Sequence, residues 1–358
     1  MEAIYILSIA KSPRAYNESE LVRKQSLDDQ LGSKISATVE RNVGQLQVEI
    51  NFQTTSKVTK KQPGSNNPNI KSIPPKNISI NKHIRIDSIS SHPYELIGQI
   101  NMVMFSANDL SLISGPPSIR RRYLDILISQ TDQQYLKTLQ RYQRTINQRN
   151  HLLRMIRGGY SEIKELDFWN NELVSAGKYI MTRRQRTLQT MSTISGPIHT
   201  ELTGTNETLQ LKYLPNTYID PNASEQSVAE NLMEAVETHE EREIAQGFSI
   251  SGPHRDDIQL LINNIDAGKY GSRGQWKTAI LAMKMAEAKH LLDNHQSNPI
   301  LLLDDVFSEL DTTRRDQVLA KTNQYEQCFI TTTNTESINQ KFLSKMRKFV
   351  IHNGELSQ

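Results

Sequence analysis

The aliphatic residues Ile300, Leu301, Leu302 and Leu303 run without interruption into Asp304 and Asp305. So short a run with no alternation predicts a strand buried on both faces, as in parallel sheets. Elsewhere the period changes. Residues 33–62 alternate apolar with polar around Asn42-Val-Gly44, which predicts a hairpin. Asn-Met-Val-Met-Phe at 101–105 predicts another buried strand, running into Ser106-Ala-Asn-Asp-Leu110 with Ser106 as a helix N-cap. Further strands are expected at Leu209–Tyr213, Cys328–Thr332 and near Lys348–His352. Residues 1–11 read as a helix that starts with no cap. The stretch from Gln62-Pro-Gly-Ser through Pro74-Pro75 reads as polar loop without periodicity.

Between the strands the pattern turns helical. Gly115-Pro-Pro-Ser118 opens a helix with Ile119, Tyr123, Ile126 and Leu127 on one side. A longer one follows, with Leu136, Leu139, Ile146, Leu153 and Ile156 near heptad spacing, broken by Gly158-Gly159. A third runs from about Glu162 to Leu188 and carries Leu166, Trp169, Leu173, Ala176 and Ile180. Two long helices joined by a Gly-rich turn form an antiparallel hairpin. An acidic helix is expected at Ser227–Ala245, after which strands and helices alternate again. Strands on both flanks of a helical insert predict an α/β chain whose sheet lobe is split. The expected pieces are residues 1–112, a helical insertion at 113–245, and 246–358.

Length and composition narrow the class. A chain of 358 residues holds roughly two domains. Hydrophobic content of 36% and charge content of 23% fit a soluble protein, and no apolar run is long enough to span a bilayer. Met1–Ala10 begins with an acid and lacks a basic n-region, so it makes a poor signal peptide. One cysteine, Cys328, excludes an internal disulfide and a Cys-rich zinc site. A cytoplasmic location is expected. The net charge of +3 is unevenly spread. From Arg120 to Arg186 there are 14 Lys/Arg against 6 Asp/Glu, whereas residues 216–245 carry 8 acids and one base. The basic block, with Arg120, Arg121, Arg122, Arg141, Arg144 and Arg149, is a candidate polyanion-binding face; a solvated helical surface is the competing reading.

Two segments carry the chemistry. Paired carboxylates at a strand's C-terminal end are where α/β proteins hold a metal or activate water, here Asp304 and Asp305. Gly271-Ser-Arg-Gly-Gln-Trp-Lys-Thr278 is a Ser/Gly turn opening a long helix, whose exposed amides suit a phosphate. Together they look like the Walker B strand and signature of an ABC-type ATPase. The phosphate-cradling G-x-x-x-x-G-K-[ST] segment occurs nowhere in the sequence. Structural roles stay open: Asp304-Asp305 as cap for a helix starting near Thr312, Ser272 as an ordinary N-cap, and His254-Arg255 as the close of a Gly-Pro turn. Met283 and Met285 read as core.

The order and spacing of several further pieces resemble the RecF DNA replication and repair proteins, relatives of the structural-maintenance-of-chromosomes ATPases. The pieces include Glu2-Ala-Ile-Tyr5, Phe105-Ser-x-x-Asp-Leu110, Gly115-Pro-Pro-Ser-x-Arg-Arg-Arg-x-Leu-Asp125, Gln148-Arg-Asn150, Ser251-Gly-Pro-His-Arg-Asp-Asp257, Ser272-x-Gly-Gln275, and Leu303-Asp-Asp-Val306 with Ser308-Glu-Leu-Asp311. The resemblance covers nearly the whole chain and implies an ABC-type fold in which two subunits sandwich two ATP molecules. It implies Asp304 as the Mg²⁺ ligand and Asp305 as the group orienting attacking water. Ser272, Gly274 and Gln275 would meet the partner's γ-phosphate, Asp311 would couple the two sites, and Arg14 would lie in a nucleotide-proximal loop. Thr331-Thr332-Thr333 takes the place of the switch segment without its usual His. The implied function is ATP-dependent dimerisation on duplex DNA near single-strand gaps, with recombination mediator proteins as partners, in recombinase loading and the SOS response. In the family, Glu2-Ala-Ile-Tyr5 belongs to the helix that follows the phosphate loop. Two explanations stand: Met1 is an internal methionine of a longer protein, or the chain is an ATPase-dead remnant that binds DNA or partners. Without the preceding strands, Ile4, Ile6, Leu7 and Val306 are expected to be poorly covered. A transporter ATPase is disfavoured by the long basic insert.

Overall fold

The computed structural model describes residues 1–15, 17–23, 26, 32–41, 44–56, 78–218, 220, 223–294, 298–333, 335, 338, 340–352 and 355–357. The turn residues Asn42-Val43 and the polar loop predicted over 62–75 lie outside them. Two compact units are present, Met1–Ile100 and Asn101–Gln358.

In the first unit, helix α1 (Glu2–Ile9) ends at Ala10 in the left-handed region. An antiparallel meander follows: β1 (Ser33–Arg41), β2 (Gly44–Ser56), β3 (Ile78–Ile86) and β4 (Ile89–Ser91), paired in that order. The alternation seen in the sequence has a direct cause. Leu46, Val48, Ile50 and Phe52 are every second residue of β2 and all are buried, with Ile84 opposite Ile50. Sequence patterning did not resolve β3 and β4. Their connection is a two-residue turn with positive φ at both Asp87 and Ser88, closed when Asp87 Oδ1 accepts the Gln47 N–H. The expectation of a poorly covered α1 is corrected here: Ile6 and Leu7 are buried, and Ser8 Oγ donates to the Ile100 carbonyl at 2.5 Å.

The second unit begins with β5 (Met102–Ser106), buried over its first four residues. Ser106 N–H donates to Asp109 Oδ2, so the predicted N-cap position starts a single 3-10 turn rather than a long helix. Three helices follow: α2 (Pro117–Thr131), α3 (Gln133–Arg157) and α4 (Leu166–Thr203). In α2 Leu127 is buried and Ile119 and Tyr123 pack against the core as the pattern suggested, and Leu124 and Ile128 widen the buried face. Helix α4 runs 15 residues beyond Leu188, through Gly196 and Pro197. Its continuation is dictated by burial of Leu188, Met191, Ser195, His199 and Leu202 at helical spacing, which overrides weak local propensity.

After β6 (Leu209–Leu214) the acidic stretch forms two helices, α5 (Glu225–Thr238) and α6 (Glu240–Gln246), parted at His239. Strands β7 (Asp257–Ile262) and β8 (Ile265–Asp266) complete an antiparallel sheet with β6. Helix α7 (Arg273–Asn294) is buried all round from Thr278 to Ala288, the mark of a helix at the centre of a core. Strand β9 (Ile300–Asp304), helix α8 (Thr312–Thr322), β10 (Cys328–Thr331) and the hairpin β11 (Val350–His352) with β12 (Glu355–Ser357) end the chain's described part. Burial pushes the Cys328 thiol up to about 12, as expected of a packing residue. Strands β10, β9 and β5 form one parallel sheet, with β9 central. One member precedes the helical insert and two follow it, so the sheet is split in sequence and whole in space. No helix among the described residues is long and apolar enough to cross a membrane.

A buried ionic network joins helices to sheet. Arg184 of α4 donates to both oxygens of Asp125 on α2, at 2.8 and 3.1 Å, and to the Pro253 carbonyl at 2.6 Å. Its Nη1 is 3.6 Å from Asp256 Oδ2. Asp256 also accepts Tyr213 Oη–H and the Asn216 N–H. Arg120 closes the other side, forming a bidentate pair with Asp257 at 2.7 and 2.9 Å. The turn that delivers these acids needs its glycine: Gly252 has φ 120°, and a Cβ there would lie 2.6 Å from Tyr142 Oη. His254 follows, its Nδ1 bonded to Tyr142 Oη and its Nε2 to the Ser249 carbonyl.

Burial depresses the His254 imidazole to about 4. The unfolded chain therefore binds the extra proton first as pH falls from about 6.5, the ordinary histidine value. Stability from this group is complete above pH ~6.5 and lost down to the folded value, by at most about 3 kcal/mol. Chemical denaturation of His254→Gln against wild type across this range measures it. The variant should show a shallower pH slope; equal slopes would refute the assignment.

Candidate functional site

The C-terminal edge of the parallel sheet collects three side chains. Register places Ser106 of β5 and Thr331 of β10 directly beside Asp304 of β9. Thr331 Oγ1 donates to Asp304 Oδ1 at 2.9 Å and accepts the Asp305 N–H at 3.1 Å. Asp305 is exposed and sits at φ 53°, ψ 30°, a left-handed conformation uncommon outside glycine. That kink turns the chain away from the sheet and into the 3-10 turn Val306–Glu309, plugged into the core by Phe307. The paired acids do not cap the helix at Thr312. Asp311 does, accepting the Arg314 N–H at 2.9 Å and pairing with Arg314 Nη1 at 3.3 Å.

The donor set at this edge is all oxygen. Among the described residues no three His, Cys, Asp or Glu side chains cluster as a closed cage. Two carboxylates with open space fit a small hard cation that keeps waters and takes its other ligands from phosphate oxygens, as Mg²⁺ does. They do not suit a soft metal.

The second segment forms the start of α7. Ser272 Oγ accepts the Gln275 N–H at 3.2 Å, while Gln275 Oε1 accepts the Ser272 N–H at 3.0 Å, a reciprocal capping box. Ser272, Arg273 and Gly274 are exposed, and a Cβ on Gly274 would meet nothing nearer than Ser272 Oγ at 3.9 Å. Trp276 anchors the turn from behind, donating Nε1–H to the Ala267 carbonyl at 2.6 Å. An exposed, glycine-opened helix start on a buried helix can receive an anion. Farther along α7, Lys284 pairs with Glu287 at 2.6 Å and covers the Tyr123 ring at 5.1 Å. Asp109, in the turn just past β5, also feels Lys284, although burial keeps its carboxyl raised. Ser272 is twelve residues before Lys284, about 18 Å along the helix axis.

The arginines separate by environment. Arg122 and Arg144 are exposed. Arg141 is exposed and forms a bidentate pair with Glu172 at 2.8 Å. Arg120 and Arg121 are committed inward, Arg120 to Asp257 and the Gly115 carbonyl, Arg121 to the Asp256 carbonyl. Arg149 overturns its expected surface role: it is fully buried, paired with Glu243 at 2.6 Å and bonded to Asn170 and Ser249. Composition counted its charge but could not show that a buried acid on α6 claims it. Arg14 belongs to the first unit; it is exposed, with its N–H held by Ser12 Oγ at 2.9 Å. His254 closes the turn internally, whereas Arg255 is exposed over the Phe248 ring at 5.2 Å. Sequence reading also missed Glu207, which accepts Gln275 Nε2–H at 2.8 Å. No motif marks it, because the contact joins residues 68 apart.

No family model matches the chain. It is 35% identical over 364 residues to the DNA replication and repair protein RecF of Chloroflexus aggregans, covering 99% of this chain and 89% of that protein. The RecF of Lysinibacillus sphaericus is 34% identical over 359 residues, covering 100% and 89%. Among solved structures, the recombination mediator protein RecF-ATPrS in the RecFOR pathway superposes with TM-score 0.82 at 28% identity, over 99% of this chain and 86% of that one. The RecF-ATP structure from that pathway gives 0.83 at 26% identity, over the same shares.

Removing Arg149 leaves Glu243 buried without its cation, which typically costs about 3–5 kcal/mol. Urea unfolding of Arg149→Ala should show a loss of that order, and Arg144→Ala a change within ~0.5 kcal/mol. Equal stability of the two variants would contradict the burial argument.

Proposed function

The chain belongs to the RecF family of DNA replication and repair proteins, and on that premise we propose that it is an ATP-dependent DNA clamp of recombinational repair. Two copies associate with ATP between them, each nucleotide bounded by the Asp304–Asp305 edge of one subunit and the Ser272 turn of the other. The observation that carries this reading is that one chain presents an all-oxygen carboxylate edge, with Asp304 held by Thr331, and an exposed helix start at Ser272. Each feature supplies one side of a nucleotide site, the carboxylates the metal side and the helix start the phosphate side, so two copies complete two sites.

Asp304, oriented by Thr331, would hold Mg²⁺, which when bound neutralises charge on the phosphate oxygens. Asp305, turned outward by its backbone, is the group to orient an attacking water. An aspartate reaches less far than a glutamate, so slow turnover is expected. The Ser272 turn would add a helix N-terminus to the developing charge of its partner's phosphate, and Asp311 would carry the state of one site to the other.

DNA is contacted through exposed arginines of the helical lobe, Arg122, Arg141 and Arg144, while Arg120, Arg121 and Arg149 hold the lobe together. Such contacts read phosphate and not sequence, which suits duplex DNA beside single-strand gaps. The chain would act in the cytoplasm with recombination mediator proteins in recombinase loading and the SOS response. The lobes that would divide this work are residues 1–112 with 246–358 for ATP, and 113–245 for DNA.

Light scattering with and without Mg-ATP, and DNA binding against salt, test the reading. Asp305→Asn should lower turnover about 100-fold or more yet keep ATP-dependent association. Arg144→Ala should reduce the slope of log affinity against log salt by about one. Association indifferent to ATP in both wild type and Asp305→Asn would overturn the clamp. It would favour a chain that binds DNA or partners without nucleotide turnover.

A further inference from the structure

Glu207 lies between α4 and β6, outside every motif that marks the nucleotide site. Its carboxylate only accepts hydrogen bonds, so the Gln275 amide must turn its nitrogen to Glu207 Oε1 and its oxygen elsewhere. That oxygen accepts the Ser272 N–H. The backbone amide that an incoming phosphate would need is therefore already engaged inside the turn. The far side of Glu207 is bounded by His199, whose Nε2 is 3.6 Å from Oε2. The His199 ring is wholly buried against Glu207 and the Thr278 backbone, and that burial disfavours its protonation. A neutral imidazole holds the carboxylate less strongly than an imidazolium would, leaving Oε1 to Gln275.

Behind Glu207, the last turn of α4 is fixed from α8. Arg314 donates to the Leu202 carbonyl at 3.3 Å, and Gln317 to the Glu201 carbonyl at 3.1 Å. The helix capped by Asp311 thus braces the segment from which Glu207 projects. The brace gives the carboxylate a fixed position, and a fixed carboxylate orients the amide it binds.

We propose that Glu207 is a latch on the Ser272 turn: it holds Gln275 across the Ser272 amide, so that the turn is self-capped until an anion displaces it. Glu207 is then a positioning residue that raises the threshold for closure on nucleotide. This rests on the reading of the Ser272 turn as the phosphate-receiving face. Closure exchanges the Gln275 oxygen for a phosphate oxygen at one amide. Without the latch, that exchange starts from a looser turn.

Hydrogen exchange of the full chain and of Glu207→Ala and Glu207→Gln measures the latch directly. Loss of a charge-assisted bond should speed exchange at the start of α7 about tenfold in Glu207→Ala, and less in Glu207→Gln, which retains an accepting oxygen. The ATP concentration at half-maximal association should fall about tenfold in Glu207→Ala. A merely structural Glu207 predicts the opposite sign, with association shifted to higher ATP. Unchanged exchange, or association that needs more ATP or the same, overturns the proposal. Should wild type never associate on ATP, the clamp reading fails separately. Protection of the same amides by inorganic phosphate then decides the latch: stronger in Glu207→Ala supports it, and equal or weaker overturns it.

Discussion

A carboxylate with no exposure at all must be neutralised where it lies, and Asp256 is such a group. Burial raises its pKa against the pull of the Arg184 guanidinium. The neutralising partners come from different elements: Arg184 from α4, Tyr213 from β6, and the Asn216 amide beyond it. Arg184 in turn needs Asp125 of α2, which also receives Tyr135 of α3 at 2.5 Å. Satisfying one buried charge thus fixes three helices against one sheet. No apolar contact is as demanding, because hydrophobic packing tolerates small displacements that a charged hydrogen bond does not.

That frame explains how α7 can be buried along most of its length and yet expose its first turn. The apolar side chains of α7 lie in the main core with those of α2, α4 and β5, and the basic and acidic pair Lys284–Glu287 is satisfied internally. The start of α7 and the C-terminal edge of the sheet present polar groups outward, with Ser272 and Asp305 exposed. Functional chemistry gathers there because a helix start and a strand end bring backbone donors and carboxylates to the solvent side of the core. The same logic places Asp311 on a helix cap, where one acid both starts α8 and ties down Arg314.

Much of this was legible residue by residue. The Ile300–Leu303 run and the β2 alternation each carry their burial in their own spacing. The heptads of α3 do so only in part: Leu136 and Leu153 are buried, Leu139, Ile146 and Ile156 are half-buried, and the inward seam runs through Tyr135, Tyr142, Arg149 and Leu152. The Ser272 turn and the paired aspartates were legible because local chemistry, a capping box and a strand end, needs nearby residues only. The far end of α4 was not. Thr, Ser, Gly and Pro between 189 and 204 argue against a helix locally, and only contacts with distant elements reverse that preference. Strands β3 and β4 escaped for a related reason, since β3 is defined by its pairing with β2 rather than by strong alternation of its own.

The arginines show the division most sharply. Sequence alone determined that the helical lobe is rich in positive charge, because counting needs no coordinates. Which arginines face water was decided by tertiary structure: Arg149 meets Glu243, 94 positions away, and Arg120 meets Asp257, 137 positions away, by the difference of their numbers. Likewise the sequence by itself determined the Ser272 capping box, but the hand of Glu207 on Gln275 exists only once α4 has run its full length. Local spacing decides what a backbone can do on its own; pairing of charges across the fold depends on where the chain returns, and no local pattern encodes that.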